Sequence, residues 1–600
     1  MSFRGLQIVS WETIARRCYE AAVEVASRLP LSARYLLTRA RSFEKAEKLT
    51  LAICMYRAAV RADTTSADAW LGLANALSRQ ARTTHDLQAF TAAIAAFEGV
   101  LAIKADWAPA LCGLGILASY AGYSKHAVDL YERAAKIKPL STFCALEQAQ
   151  CLEKLSRMRE ASEVLRAALH QSDGCEEIRL ALARVLSRMG DNEGADSMLN
   201  ELSGTRLASS PAMFNETVAA AARAGNLWRA KQLLEDQCGF RISVDPQPSN
   251  SQVFEQDVVT VVWGHAFLED FLRVTLPNLL ANGNLRDLKR ARYRLYTLET
   301  DLWRLVKHPT FGALQAALPV TVITFAERWF SQIQEKYWVS NCCHQHAVIG
   351  ANIRGTGLIF INPDSVYSQG SFAAMEAYAA KGYRAILISG PRMTKETALK
   401  DLLKYLQLSE EIRHPTISIP PRALVAILLE HLHPLMVDGF TDSGVVSDHW
   451  SSIYERVPGE GLIARQLHLH PLMVKPENAR ALPEGTLDTT FVSEACPDPG
   501  THVIIRDSDE IMGVSWSDAH DNAGIKRYRA TDIGRKAAMI AHLGRRQINS
   551  FNTSLLAIPI NLHLRPIGPT WTLHDERLRN VEQRIAAAIS SEFAARAEDY

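Results

Sequence analysis

Two segments decide the reading of the first half: FEGVLAIKADWAPALCGLGIL at 97–117 and YERAAKIKPLSTFCALEQAQCL at 131–152. Each opens on an aromatic residue, and Phe97 and Tyr131 lie 34 residues apart. Further steps of 34 reach Leu165 and Leu199, and Ala127, Ala161 and Ala195 keep the same interval. YRAAVRADTTSADAWLGLANAL at 56–77 is an earlier copy, with Tyr56 set 41 residues before Phe97 by an insertion near ARTTHDL. Gly122 and Gly190 fall where a small residue lets two helices turn closely, and Gly225 and Ala230 carry the pattern once more. Such a period describes a pair of helices that cannot bury its apolar face alone, so stacked neighbours must supply the missing surface.

These marks resemble the tetratricopeptide repeat over residues 45–240, with 1–44 as an N-terminal helical cap. The resemblance implies an all-α solenoid whose concave groove takes a peptide or another protein. A spacer or dimerisation platform is the alternative, and exposed repeat ends suggest a homodimer. The Pro- and Ser-rich RISVDPQPSNSQ breaks the pattern and reads as a linker, placed at 241–256.

Beyond Asp257 the pattern changes. VVTVVWG (Val258–Gly264) is a β-branched run ending in Gly, and RYRLYTLET from Arg292 and PVTVITF (Pro319–Phe325) read as strands two and three. GLIFINPDSVYSQG supplies a fourth and YRAILISG a fifth, with helical stretches between them. Strand and helix alternating in this way predict a mostly parallel sheet covered by helices, with ligands at the carboxyl ends of the strands. The residues just past those ends are Trp263, Gly264 and His265; Thr297, Glu299 and Asp301; then Asn362, Asp364, Tyr367 and Ser368.

The opening VVWGHAFLEDFLRVTLPNLLANGNL, RYRLYTLETD and above all GLIFINPDSVYSQGSF resemble the Rossmann-like nucleotide-sugar glycosyltransferases called GT-A. The resemblance implies an α/β domain over 257–575, closed by a helix at 576–600. It further implies Asp364 as a carboxylate for Mn²⁺ or Mg²⁺, with Tyr367 and Ser368 beside it and Trp263, Gly264 and Thr297 near the nucleotide. The turn reads Pro-Asp-Ser where the full family motif carries two carboxylates.

Other segments could complete such a site. Asp507 and Asp509 in THVIIRDSDE form a literal Asp-x-Asp, which would serve if its strand lay beside the fourth; a solvated turn is the plainer reading. EHLHPLMVD (430–438) and LHLHPLMVKP (467–476) each carry His-x-His, which on a strand points both imidazoles to one side. His468 and His470 are the better metal candidates of the two pairs, ahead of His431 and His433. His344 and His346, beside Cys342 and Cys343, read as helix and as pocket or core residues rather than zinc ligands. Glu299 and Asp301 read either as ribose contacts or as solvated acids.

Composition excludes several classes. With 66 basic against 65 acidic residues, the total charge points to neither nucleic acid nor a membrane surface. There is no run of eighteen uncharged apolar residues, no signal-peptide core, no CxxC, and no Walker, GxSxG, HExxH or GxGxxG motif. The ten scattered Cys read as buried thiols of a reducing compartment, so a cytoplasmic location is expected. The expected activity is transfer of a sugar from a nucleoside diphosphate to an acceptor held in part by the repeats. A non-catalytic scaffold and a metal-dependent hydrolase are the alternatives.

Overall fold

The computed structural model describes residues 32–597 except 85, 173, 246–253, 289, 328–335, 410–413, 448–450, 486, 488, 522–524, 531 and 545–549. Residues 1–31 of the expected cap lie outside the described residues, as does most of the Pro/Ser stretch. The chain forms two compact units, Met1–Val185 and Leu186–Tyr600.

The first unit is all-α. Ala33–Lys45 is followed by Leu49–Ala62, Ala67–Thr84 by Leu87–Ile103, Ala108–Tyr120 by Ser124–Ile137, and Thr142–Lys154 by Met158–Gln171. The repeat period has a structural cause at each end of a hairpin. The tight inter-helix turn needs a residue in the left-handed region, which Gly122 supplies at φ 84°. The equivalent turns use Ser156 at φ 59° and Glu47 at φ 57°, so the motif tolerates a side chain there at some strain. The aromatic markers pack helix on helix, Tyr56 and Phe97 between successive hairpins and Tyr131 within its own. The rings of Tyr56 and Phe97 lie so close to Gly72 and Gly113 that a Cβ there would stand 2.2 Å away, and Tyr131 covers Gly115 at 2.8 Å. Tyr56, Phe97 and Tyr131 are all buried, as are Ala127, Ala161 and Leu165. This is the tetratricopeptide-type stack that the spacing predicts.

The second unit opens with helices of the same kind, Asn192–Leu202, Pro211–Arg223 and Leu227–Cys238. The last two enter the core of the α/β part. Val218, Ala222, Ala230, Leu234 and Cys238 share one buried cluster with Val259, Tyr296, Phe325 and Val348. The stretch read as a linker begins instead as a strand, β1 (Arg241–Val244), laid antiparallel on β4 (Val320–Phe325). Its Ser243 hydroxyl meets that of Thr324 at 2.8 Å, so edge pairing outweighs the turn-forming composition.

The remaining strands used below are β2 (Gln256–Val261), β3 (Ala291–Leu298), β5 (Gly357–Ile361), β6 (Ser365–Tyr367), β7 (Ala385–Ile388), β8 (Arg392–Thr394), β9 (His470–Val474), β10 (His502–Ile504) and β11 (Gly513–Ser517). The main sheet runs β1-β4-β3-β2-β5-β9-β7-β10. β2 pairs parallel with both β3 and β5, and β3 pairs parallel with β4. β9 is antiparallel to β5 and β7, and β10 is parallel to β7. All five expected strands are present within a mixed sheet. A second, three-stranded sheet has the order β6-β11-β8.

Burial of both faces accounts for the near-continuous apolar strands: Val320–Phe325, Gly357–Ile361 and Ala385–Ile388 are buried throughout. One charge sits beneath them. Asp257 is fully buried at the start of β2, held by Arg292 at 2.5 Å, by Arg354 and by the Thr356 hydroxyl at 3.1 Å. Burial works to raise its pKa, but the two guanidinium groups hold its carboxyl below the usual range. Removing either arginine would leave a buried charge without its full complement.

Candidate functional site

From β2 the chain adds β3 and β4 on one side, then returns to place β5 on the other. A reversal of this kind opens a crevice at the carboxyl ends of the two strands that flank it. Those ends carry Trp263 and Gly264 on one side and Asn362 and Asp364 on the other.

The first group is engaged by the fold itself. Gly264 takes φ 81°, and its N–H donates to the Asp301 carboxylate at 2.7 Å. Asp301 is 4% exposed and also faces Arg304, so it ties two strand ends together rather than lying solvated, while Glu299 is exposed. Trp263 packs edge-on against Phe325. Thr297 is fully buried within β3, and its hydroxyl meets no hydrogen-bond partner among the described residues.

Asp364 occupies the turn between β5 and β6, partly exposed, and its carbonyl accepts from the N–H of Trp516 at 2.9 Å. Its carboxyl is pushed up to about 6 by loss of water, against the pull of Arg392 and with a further push from Asp521 and Asp270. Tyr367 is buried against Phe372, its backbone paired with the Asn278 side chain. Ser368 is fully buried on the Ser371 hydroxyl, and its N–H donates to Met512. Ser368 therefore builds the turn.

Beside this turn lies a cavity of about 320 Å³, at the carboxyl ends of β5 and β7 and the amino end of β9. Asn362, Ser365, Tyr367, Arg392, His468 and His470 line it. Part of its wall is a buried hydrogen-bonded chain: Ser389 donates to Gln466 Oε1 at 2.6 Å, and Gln466 Nε2 donates to Ser452 at 2.9 Å. Arg392 opens β8 just after the loop that ends the fifth strand at Ile388, so the strand-end rule could have found it. Gln466 and Ser452 come from two paired strands, Gly461–Gln466 and Ser452–Val457, with no motif to mark them.

The further candidates separate. The strand of THVIIRDSDE lies beside β7 at the sheet edge, not beside β5. Three strand spacings, roughly 14 Å, lie between β10 and β5. Asp507 meets His563 at 2.7 Å, and Asp509 forms a bidentate pair with Arg422 while staying exposed to solvent. His470 opens β9 and shares its Nε2 with the Phe360 carbonyl at 3.0 Å; burial lowers its pKa. His468 precedes β9 outside any strand.

The first His pair is not on a strand either. His431 ends the helix Pro421–Glu430, pairing with Asp401 at 2.7 Å, and His433 caps the short helix Pro434–Asp438. His344 lies in the helix Lys336–Arg354, edge-on to Phe360, and burial lowers its pKa to about 3. His346 is held to about 4 for the same reason and meets Tyr296 at 2.9 Å.

Among the described residues, two groups of His, Cys, Asp or Glu side chains come close enough to share one cation: Asp507 with Asp509 and His563, and Asp401 with Glu430 and His431. Asp364, His468 and His470 belong to neither. The five expected metal donors therefore do not gather into one divalent-cation site. No helix among the described residues is long and apolar enough to cross a membrane.

No protein-family model matches the chain, and no curated protein matches it. Among solved structures it is similar to the tetratricopeptide protein YrrB, described with an unusual peptide-binding site (19% identity, 30% of this chain, 89% of that one, TM-score 0.27). It is also similar to a tetratricopeptide repeat protein from Parabacteroides merdae (15% identity, 34% and 78%, TM-score 0.29). A third similar solved structure is Pseudomonas aeruginosa pilF (14% identity, 34% of this chain, 89% of that one, TM-score 0.29). The tetratricopeptide reading rests on this chain's own 34-residue period, hairpin turns and aromatic-on-glycine contacts.

Proposed function

We propose that the α/β unit binds a nucleoside-diphosphate sugar in the cavity beside β5 and β7 and transfers the sugar to a peptide or protein recognised by the repeats. The observation that carries this reading is the parallel order β4-β3-β2-β5. Its reversal puts a polar, partly enclosed cavity and the Asn-Pro-Asp-Ser turn at the same sheet edge. The GT-A resemblance of GLIFINPDSVYSQGSF concerns the same edge. A cavity rich in hydroxyl and amide groups suits a polyhydroxyl ligand, since each ligand hydroxyl can both donate and accept.

The test is thermal stabilisation of the full chain by a panel of nucleoside diphosphates and their sugar conjugates, followed by donor hydrolysis. Stabilisation by one nucleotide, with slow hydrolysis that is lost in Asp364→Ala, is the expected result. Silence across the panel would remove the reading.

A second reading, a repeat adaptor whose α/β unit binds the nucleotide sugar without turnover, is favoured by one observation. The literal Asp-x-Asp is already paired with Arg422 and His563. Binding without donor hydrolysis would select it. Release of phosphate from simple esters without a sugar nucleotide would instead select a hydrolase.

A further inference from the structure

The small sheet β6-β11-β8 brings three cavity residues into one rung. Ser515 of β11 faces Ser365 of β6 on one side and Arg392 of β8 on the other. All three line the cavity. Two rungs along, Gly513 faces Tyr367, and the missing side chain matters: a Cβ at Gly513 would come within 3.0 Å of both the Tyr367 ring and Ile388. The rung thus presents two hydroxyl groups and a guanidinium to one space, left open by a glycine.

The described lining of this space carries a single formal charge. Among the described lining residues, Arg392 is the only Asp, Glu, Lys or Arg. Three other cations of the unit are paired: Lys395 with Asp270 at 2.5 Å, Arg422 with Asp509 at 2.7 Å, and Arg527 with Asp438 at 2.7 Å. No described carboxylate lies within ion-pair distance of Arg392; Asp364 acts on it from farther off. A divalent cation needs several carboxylate or carbonyl oxygens, and this wall offers it a guanidinium instead. A diphosphate needs the reverse, and a planar guanidinium with flanking hydroxyl donors matches its oxygens.

We infer that the cavity holds the diphosphate of its ligand by direct contact with Arg392, supported by Ser365 and Ser515, without a bridging divalent cation. The guanidinium takes the place that Mn²⁺ or Mg²⁺ was expected to fill, and it would also stabilise the negative charge that develops on a leaving diphosphate. The inference rests on the proposed nucleotide-sugar reading and adds which group recognises the phosphates.

The test is calorimetric titration of the full chain with UDP, GDP, ADP and inorganic pyrophosphate, each in EDTA and again in excess Mn²⁺. The same affinity in both conditions is expected, weakening as salt rises. Arg392→Gln should lower that affinity roughly tenfold or more, and Arg392→Lys should recover part of it as a point charge without the fork. The thermal midpoint of each variant reports folding, and Ser515→Ala gives a milder second probe on the same rung. Binding that appears only with Mn²⁺ would overturn the inference and leave the nucleotide-sugar reading standing. So would unchanged binding in a folded Arg392→Gln. No binding in any arm would remove both. Pyrophosphate binding without nucleotide binding would keep the Arg392 anion site and remove the nucleotide.

Discussion

The pentapeptide His-Pro-Leu-Met-Val occurs twice, at 433–437 and at 470–474, and it folds in two ways. The first copy is a helical turn. His433 is its N-cap, with the ring accepting from the N–H of Leu435 at 3.2 Å, and Pro434 takes the first helical position. The second copy is strand β9, with β5 on one side and β7 on the other. Proline is awkward inside a sheet because it cannot donate to a ladder. Here the register shifts between Pro471 and Met473, and that bulge absorbs the missing donor. In the helix Val437 is 39% exposed; in the strand Leu472 and Val474 are fully buried. Five identical residues leave both conformations open, and the partners decide.

The comparison can be broken most sharply at its last residue. Val474→Asp places an unpaired charge between two central strands and should prevent recovery of folded α/β unit, while Val437→Asp should change unfolding free energy by no more than about 0.5 kcal/mol. Equal effects in urea unfolding would show that the two environments do not differ as described.

Next comes Leu472→Ala, which should cost about 2–5 kcal/mol, against a clearly smaller loss for Leu435→Ala at its half-buried site. A smaller effect is expected at the cap. His433→Ala should cost about 1 kcal/mol, and His433→Asn should restore most of it because Asn also caps. The same Asn at position 470 has no helix to cap and should restore nothing.

A further test is in pH. His344 and His346 are held at about 3 and about 4, and His433 and His470 are lowered as well, each mainly by burial. The unfolded chain then binds more protons than the folded one once the pH falls below the ordinary histidine value near 6.5. Stability therefore drops on acidification from about 6.5 toward 4. Asp364, raised to about 6, opposes this with a single group. Melting midpoints across this range should fall toward acid. His470→Gln should flatten the slope, since burial lowers the proton affinity of His470.

Legibility varied in the same way along the chain. The repeat half was readable because each contact it needs is local: Phe97 meets Gly113 within one repeat length, so the period itself encodes the packing. The strands of the α/β unit were readable from their apolar runs, and Asp364 from its place after the fourth. Nothing in IIRDSDE shows that its strand adds next to β7, or that Arg422 and His563 come to meet its two acids. The first His pair was misread as strand because HLHPLMV suits either state. Arg392 passed unnoticed although it follows a strand end, since its neighbours Ser365 and Ser515 come from strands far away in sequence.

By itself the sequence determined the helical-hairpin period, the change to strand–helix alternation after Asp257, and which strand ends could carry chemistry. Those features depend on neighbours a few residues to one repeat away. The tertiary structure alone decided that a five-residue word is helix in one place and strand in another, and that the acids of one turn meet Arg422 and His563 while Arg392 faces a cavity without an ion pair. Those outcomes depend on sheet order and on burial, and both are set by contacts between segments far apart in sequence.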